Sequence, residues 1–207
     1  MRVRSVQVKP TFRERRNQQF QQLANTRLRS KLRVARIQVK RLQALSLTDE
    51  LTGLPNRREF NETLSRAVAA RQRYGHIFSV AMIDLDFFKR VNDILGHQVG
   101  DRVLRQLAEI LRKSVRKNDL AARWGGEEFA LILDATDINN ARIPLERIRK
   151  TVELADFGIG RPVTISIGFA SPTDSQTAEQ LMANADRALY RAKEAGRNQV
   201  CSSEEIR

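Results

Sequence analysis

No glycine or proline occurs between Pro10 and Gly53, whereas the rest of the chain carries all ten glycines. An uninterrupted run of this length predicts one long helix, from about residue 11 to 44, that would extend about 50 Å at 1.5 Å per residue. The pattern therefore divides the chain into a helical arm, residues 1–45, and a second part, residues 46–207, that is rich in turn residues.

The positive charge of the chain is concentrated in the arm. The full sequence of 207 residues has a net charge of +13, from 37 Lys and Arg against 24 Asp and Glu. The arm holds 13 of these basic residues and a single acid, Glu14, so that the second part is nearly neutral. A basic surface therefore belongs to the arm, where it favours contact with anionic partners.

Apolar residues in the arm recur at alternating steps of four and three. This spacing is typical of the seam of a two-stranded coiled coil, and a parallel homodimer is our preferred interpretation. Two alternatives stay open at this point: a solvated basic helix, and an arm that binds anionic lipid or nucleic acid by charge. The seam residues are Leu28, Leu32, Ala35, Val39 and Leu42.

Several classes of protein are excluded by what the sequence lacks. Cys201 is the only cysteine, so an intrachain disulfide and a cysteine metal cluster cannot form. The longest apolar run, residues 78–83, is far shorter than the roughly 18 residues of a membrane span. We expect a cytoplasmic protein, with association at the inner face of the membrane through the arm as an additional option.

Residues 46–207 alternate between short apolar runs and helical periodicity, which predicts an α/β fold. Asn56 and Glu59 predict the start of a helix that runs to about Tyr74. The pair Gly125-Gly126 predicts the two-residue turn of a hairpin. The other predicted elements are strands at 78–83, 120–124, 129–133 and 163–170, and helices from Asp101, near 141–155 and at 178–195.

Acidic side chains follow the buried strand at 78–83 and occupy the predicted hairpin. Asp84 and Asp86 would share one face at the strand end, and a surface salt bridge with Lys89 is the alternative interpretation. Glu127 and Glu128 add two carboxylates at the hairpin. Four such groups favour a hard cation bound through oxygen, with positions left for the phosphates of a nucleoside triphosphate.

Residues 123–129, RWGGEEF, resemble the signature of the GGDEF-domain diguanylate cyclases in its GGEEF form. The resemblance extends through 46–198 in several ordered blocks, which makes a chance match untenable. These blocks are 47–57 (LTDELTGLPNR), 84–89 (DLDFFK), Asn92-Asp93, Gly96-His97 with Gly100-Asp101, 166–168 (SIG) and 185–198.

The resemblance implies a palm-like antiparallel sheet flanked by helices, and the condensation of two GTP into cyclic di-GMP. Asp84, the Leu85 carbonyl and Glu127 match the metal-binding positions of the family, with Glu128 assisting. Glu127 also matches the base that deprotonates the attacking 3′-hydroxyl. The implied cofactor is Mg²⁺, with Mn²⁺ as the alternative and two ions per active site.

Further matching positions imply how GTP is held. Asn92 and Asp101 match residues that bind guanine, although Asp101 also stands where the N-cap of the next helix is expected. The backbone at Gly125 and Gly126 would approach the nucleotide closely. Three cations match the positions that neutralise phosphate charge: Lys89, Lys193 and Arg197.

Arg116 and Asp119 match the family's RxxD site, at which the product inhibits the enzyme. A guanidinium and a carboxylate can together recognise guanine, whereas a local ion pair is the alternative interpretation. The resemblance also implies a homodimer, because each domain presents one GTP. A module that binds nucleotide without catalysis, and control by an upstream sensor or a partner, both stay open.

Overall fold

The computed structural model describes residues 28, 29, 31–33, 38, 47–173 and 175–205. The chain forms two compact units, Met1–Ser46 and Leu47–Arg207. The described residues of the first unit are helical, and Leu28 and Leu32 are exposed. The other seam residues, Ala35, Val39 and Leu42, lie outside the described residues, so the seam stays a prediction.

The second unit is a mixed α and β fold. Its helices are α1 (Arg57–Tyr74), α2 (Phe88–Leu95), α3 (His97–Ser114), α4 (Ile138–Leu154) and α5 (Ala178–Glu194). Its strands are β1 (Phe78–Leu85), β2 (Leu120–Gly125), β3 (Glu128–Asp134), β4 (Ile165–Ala170) and β5 (Val200–Ser202), followed by a 3₁₀ turn at Ser203–Glu205. No helix in the described part of the chain is both long and apolar enough to cross a membrane.

The five strands form one sheet in the order β2-β3-β1-β4-β5. The predicted antiparallel sheet is confirmed for the four long strands, and β5 adds to the edge in parallel with β4. Strand β1 is therefore central, and all eight of its residues are buried. Alternate β1 side chains face opposite sides, as the two-residue period of a strand requires.

Two apolar layers cover the sheet. One face packs against α3 and α4 through Leu107, Leu145 and other apolar side chains. The other packs against α1 and α5 through Phe60, Leu64 and Leu181. Burial on both faces explains why the β1 sequence is mostly apolar up to Asp84, where the polar segment begins.

Gly168 in β4 fixes how closely the sheet approaches α5. A Cβ atom at this position would lie 1.9 Å from the backbone nitrogen of Leu189 and 2.3 Å from the carbonyl oxygen of Ala185. Backbone atoms inside a helix cannot move aside, so this contact requires glycine. The helix that carries Lys193 is thereby placed against the strand next to β1.

Several predicted boundaries need correction. The helix predicted from Asp101 begins at His97, so Asp101 lies within α3 and is not its N-cap. Helix α2, which the sequence analysis missed, has no capping side chain at its start. The predicted helix near 141–155 begins three residues earlier, capped by Asp137, and the strand predicted from residue 163 begins at Ile165.

Candidate active site

Asp84 lies at the end of the central strand, where three strands meet. It pairs with Glu128 of β3 and with Ser166 of β4 in the antiparallel ladders. The residue is only 7% exposed. Lys193, in the last turn of α5, places its Nζ 2.8 Å from Asp84 Oδ2. A buried carboxylate and a partly buried ammonium thus form the centre of the site.

The hairpin between β2 and β3 brings Glu127 to the same place. The predicted turn was placed one residue too early: Gly125 ends β2, and the two-residue loop is Gly126-Glu127, with Gly126 at φ 48°. A register shift between Arg123 and Gly125 accounts for the difference. The Leu85 backbone N–H donates to the Glu127 carbonyl oxygen at 3.4 Å, which joins the hairpin tip to the end of β1.

The three carboxyl groups at this site lie in an electrostatic environment that disfavours their charged forms. Burial raises the pKa of Asp84 above its ordinary value, against the opposing effect of Lys193. Burial, followed by the charge of Asp84, raises the pKa values of Glu127 and Glu128 as well. Added positive charge would relieve this repulsion.

The residues fit a divalent metal ion, although no three Asp, Glu, His or Cys side chains among the described residues are already arranged around one metal position. Mg²⁺ keeps several water or phosphate ligands and needs few from the protein. Asp84, Glu127 and the Leu85 carbonyl would supply oxygen ligands, with Glu128 alongside. The raised pKa values of the three carboxyl groups indicate that a cation is the complementary ligand.

Asp86 does not belong to this group, which corrects the predicted cluster of four carboxylates. Strand β1 ends at Leu85, and the Asp86 carboxylate points to a different set of partners. It accepts hydrogen bonds from Thr164 Oγ1 at 2.8 Å, from Ser166 Oγ at 2.7 Å and from the Asn198 backbone N–H at 3.1 Å. Asp86 therefore connects β1, β4 and the segment that follows α5.

The sequence analysis missed a set of hydrogen bonds, made by Arg123, that supports the hairpin. Arg123 donates from Nη1 to both oxygens of Asp49 at 3.1 Å, and from Nε and Nη2 to the Gly126 carbonyl at 3.1 and 2.8 Å. Asp49 also accepts from the backbone N–H and hydroxyl of Thr52. The segment at 47–57 thus fixes the turn that carries Glu127. Asp49 and Arg123 both lie in recognised motif blocks, but no feature of the sequence indicates that they contact each other.

The predicted guanine-binding residues lie on two helices that pack against each other, Asn92 on α2 and Asp101 on α3. A Cβ atom at Gly100 would lie 2.0 Å from Asn92 Oδ1 and 3.1 Å from the ring of Phe88. Asn92 therefore packs directly over Gly100, and Asp101 is the next residue. Helix α2 is amphipathic, with Phe88 and Val91 buried.

The remaining predicted phosphate ligands are Lys89, at the start of α2, and Arg197, just past α5. Lys89 is exposed in the first turn of α2. Arg197 lies just past α5, and its charge lowers the pKa of Asp84, which opposes the larger effect of burial. The Arg197 guanidinium lies over the ring of Phe87, 4.5 Å from its centroid.

Arg116 and Asp119 lie in the turn between α3 and β2, which is a separate place from the carboxyl cluster. Asp119 Oδ2 accepts from the Arg116 backbone N–H at 2.8 Å, and its Oδ1 accepts from the Asp134 N–H at 2.9 Å. The contact between the two residues therefore uses the backbone of Arg116, and its side chain is exposed. The alternative interpretation, a local ion pair, is therefore corrected to a hydrogen bond from the Arg116 backbone.

Residues 46–199 of this chain match the family model of the diguanylate cyclase GGDEF domain. Comparison with known sequences also identifies close relatives. The chain is 44% identical over 158 residues to the diguanylate cyclase DgcP of Pseudomonas aeruginosa, which covers 75% of this chain and 24% of DgcP. It is also 44% identical over 162 residues to the response regulator PleD of Caulobacter vibrioides, covering 75% of this chain and 36% of PleD. The chain thus spans only about a quarter to a third of these relatives.

Solved structures share the fold. The GGDEF domain of DgcB from Caulobacter crescentus, in complex with c-di-GMP, matches with a TM-score of 0.73 and 37% identity, covering 77% of this chain and 96% of that domain. The diguanylate cyclase SiaD of Pseudomonas aeruginosa, in complex with its activator SiaC, also has a TM-score of 0.73 and 37% identity, with 91% and 77% covered.

Proposed function

Because this chain belongs to the GGDEF family of diguanylate cyclases, we propose that residues 46–207 condense two GTP molecules into cyclic di-GMP and release two pyrophosphates. The observation that carries the proposal is the group of three carboxyl side chains whose pKa values are raised around Lys193. Their arrangement calls for a cation, and GTP with Mg²⁺ brings both a cation and a triphosphate to it.

In this proposal the nucleotide lies across the end of β1. Asn92 and Asp101 bind the guanine edge through their amide and carboxylate groups. Lys89 and Arg197 bind the triphosphate, and Lys193 exchanges part of its contact with Asp84 for a contact with phosphate. Gly125 and Gly126 leave room for the nucleotide to approach the hairpin backbone.

Each half-reaction transfers one nucleotidyl group. Asp84, the Leu85 carbonyl, Glu127 and Glu128 would hold a divalent ion, which would supply Lewis acidity at this site. Glu127 takes the proton of the 3′-hydroxyl of one GTP, whose oxygen forms a bond to the α-phosphorus of the other. The bond from that phosphorus to the bridging oxygen breaks, and pyrophosphate leaves. A second, equivalent transfer closes the ring.

We assign the pairing of two such domains to the arm, residues 1–45. One domain presents one base and one GTP, so two must face each other for both transfers. A coiled coil would raise the effective concentration of the second domain. Leu32 lies in the proposed seam and is exposed in the single chain. Its side chain is therefore accessible for packing against a second copy.

The test of activity is incubation of the protein with GTP and Mg²⁺, followed by chromatographic separation of the nucleotides. The wild type and the matched surface variant Glu62→Gln should form cyclic di-GMP, whereas Glu127→Gln should form none. Product from Glu127→Gln would contradict the role of Glu127. No product from the wild type with either Mg²⁺ or Mn²⁺ would favour a nucleotide-binding module.

The test of the arm is turnover per chain at low protein concentration. Leu32→Lys combined with Val39→Lys should reduce turnover, because charge in the seam opposes pairing. Ser30→Lys adds charge away from the seam and should leave turnover unchanged. Equal turnover in all three proteins would overturn the proposed role of the seam.

We also propose that Arg116 and Asp119 bind cyclic di-GMP as an inhibitor. Arg116→Ala should relieve inhibition by added product without lowering the initial rate. Lys117→Ala, which removes a neighbouring exposed cation, should remain inhibited. An Arg116→Ala protein that is inhibited like the wild type would refute the assignment.

A further inference from the structure

Phe87 combines two features that are unusual for an aromatic residue. It is 55% exposed, although Phe88 beside it is buried in the core. Its backbone is in the left-handed region, at φ 57°, which bulky residues rarely adopt. The exposed side chain does not pack in the core and makes no capping hydrogen bond to α2. An exposed aromatic ring held in this backbone conformation therefore requires another explanation.

The ring of Phe87 lies beneath the guanidinium of Arg197, which stands 4.5 Å from the ring centroid. Arg197 and Asn198 are also left-handed, at φ 65° and 48°. Two consecutive residues in this region project the Arg197 side chain away from the end of α5. The stack thus joins two segments of uncommon backbone conformation beside the carboxyl cluster.

The backbone on both sides of this stack is anchored. Asp86 precedes Phe87 in the chain, and its carboxylate accepts the Asn198 N–H at 3.1 Å, next to Arg197. The Asn198 side chain accepts from Arg149 Nη1 at 2.8 Å and donates to Glu153 at 2.7 Å. The positions of Phe87 and Arg197 are therefore set by one carboxylate and by α4.

We propose that the Phe87 side chain is a positioning residue that orients Arg197 toward the triphosphate of GTP. A free arginine side chain samples many rotamers, whereas the ring restricts it by cation–π stacking. Stacking occupies the face of the guanidinium and leaves its N–H groups, which lie in the plane, directed outward to donate hydrogen bonds to phosphate oxygens. The inference rests on the proposed function, since it takes GTP as the ligand.

The first test is the KM for GTP in three variants. Phe87→Leu keeps an apolar side chain but removes the ring, and should raise KM about threefold to fivefold with little change in kcat. Phe87→Tyr retains an aromatic ring and should have the same KM for GTP as the wild type. Tyr74→Leu removes the ring of the exposed Arg73 pair at the end of α1, and should have no effect.

The second test is a double-mutant cycle with Arg197→Ala. If Phe87 acts through Arg197, Phe87→Leu should not raise KM further in the Arg197→Ala background. An equal increase in both backgrounds would overturn the proposal, as would a wild-type KM in Phe87→Leu.

Calorimetric titration with 3′-deoxy-GTP and Mg²⁺ separates this inference from the proposed function, because binding needs no turnover. If the wild type makes no cyclic di-GMP, the proposed activity fails, while the dissociation constants of the same variants still test the stack. If the wild type makes product and Phe87→Leu binds like the wild type, only the positioning role fails. No binding by the wild type would overturn both.

Discussion

Two aspartates at the end of β1, only two residues apart, stand in opposite physical environments. Asp84 belongs to a group with Glu127, Glu128 and Lys193, in which burial raises the pKa values of the three acids; the charge of Asp84 adds to this effect on both glutamates, and the charge of Asp86 adds to it on Asp84. Asp86 accepts hydrogen bonds from Thr164, Ser166 and Asn198. We call these the Asp84 cluster and the Asp86 cluster.

The difference separates a binding role from a structural one. Three hydrogen-bond donors from two segments compensate the buried Asp86 carboxylate, so these hydrogen bonds stabilise the fold. In the Asp84 cluster one ammonium group faces three carboxyl groups, and the fold itself does not compensate them. A buried polar group without full compensation is costly and marks a place where a ligand completes the structure.

Substitution of Asp84 should have the largest effect, and it should fall on activity. Asp84→Asn removes charge that the folded state does not favour, so the unfolding midpoint in urea should be no lower than that of the wild type. Cyclic di-GMP formation should fall about a thousandfold, because the variant lacks a ligand for the cation. A folded Asp84→Asn protein with near wild-type turnover would remove the distinction between the clusters.

Substitution of Asp86 should instead act on stability. Asp86→Ala leaves one buried and two partly buried donors without their acceptor and should lower the free energy of unfolding by about 3 kcal/mol. Thr164→Val removes one donor and should cost about 1 kcal/mol. Urea unfolding measures both values, and kcat per folded molecule should stay within about threefold of the wild type. Unchanged stability in Asp86→Ala would contradict its structural role.

Gly100→Ala probes the nucleotide site without touching either cluster. The added methyl group would clash with Asn92 Oδ1, whose side chain must rotate away from its position between α2 and α3. We expect KM for GTP to rise about tenfold while the protein stays folded. Asn92→Ala should raise KM similarly, and the double variant should add little. A wild-type KM in Gly100→Ala would show that this position of Asn92 does not matter for binding.

The smallest effect concerns Asp49, which resembles Asp86 more than Asp84. Burial disfavours its charge, but hydrogen bonds from Thr52 and Arg123 outweigh burial and lower its pKa on balance. Because the pKa is lower in the folded than in the unfolded protein, the stabilisation is complete above the unfolded value of about 3.9. It is lost as the pH falls through the folded value.

Asp49→Asn should therefore be less stable than the wild type at pH 7, by about 1 kcal/mol. The difference should shrink below about pH 4, where Asp49 becomes protonated in the unfolded state, and should vanish as the pH falls through the lower pKa of the folded state. Urea unfolding from pH 7 to pH 2.5 measures it. A difference that stays constant over this range would refute the linkage.

The features that sequence predicted best depend on local signals. The start of α1 follows from Asn56, whose side chain accepts the N–H groups of Arg58 and Glu59. The inward residues Phe60, Leu64 and Val68 follow from helical periodicity, and all three are buried. The palm-like fold came from motif resemblance and is confirmed by the sheet and its flanking helices.

The features that sequence missed depend on distant partners or on unusual backbone. Helix α2 begins after a left-handed Phe87 without a capping side chain, so no start signal exists. The role of Asp86 requires Thr164, Ser166 and Asn198, which are about 80 and 112 positions away. The one-residue error at the hairpin arose because a register shift in β2 moves the turn to Gly126.

The most direct test of the account is the unfolding temperature with 3′-deoxy-GTP, which lacks the attacking hydroxyl, in the presence and absence of Mg²⁺. A ligand that binds only the folded state raises this temperature. We predict increases, dependent on Mg²⁺, for the wild type and Asp86→Asn, and no increase for Asp84→Asn. A wild-type increase in Asp84→Asn, or an increase in the wild type that needs no metal, would contradict the assignment of the Asp84 cluster.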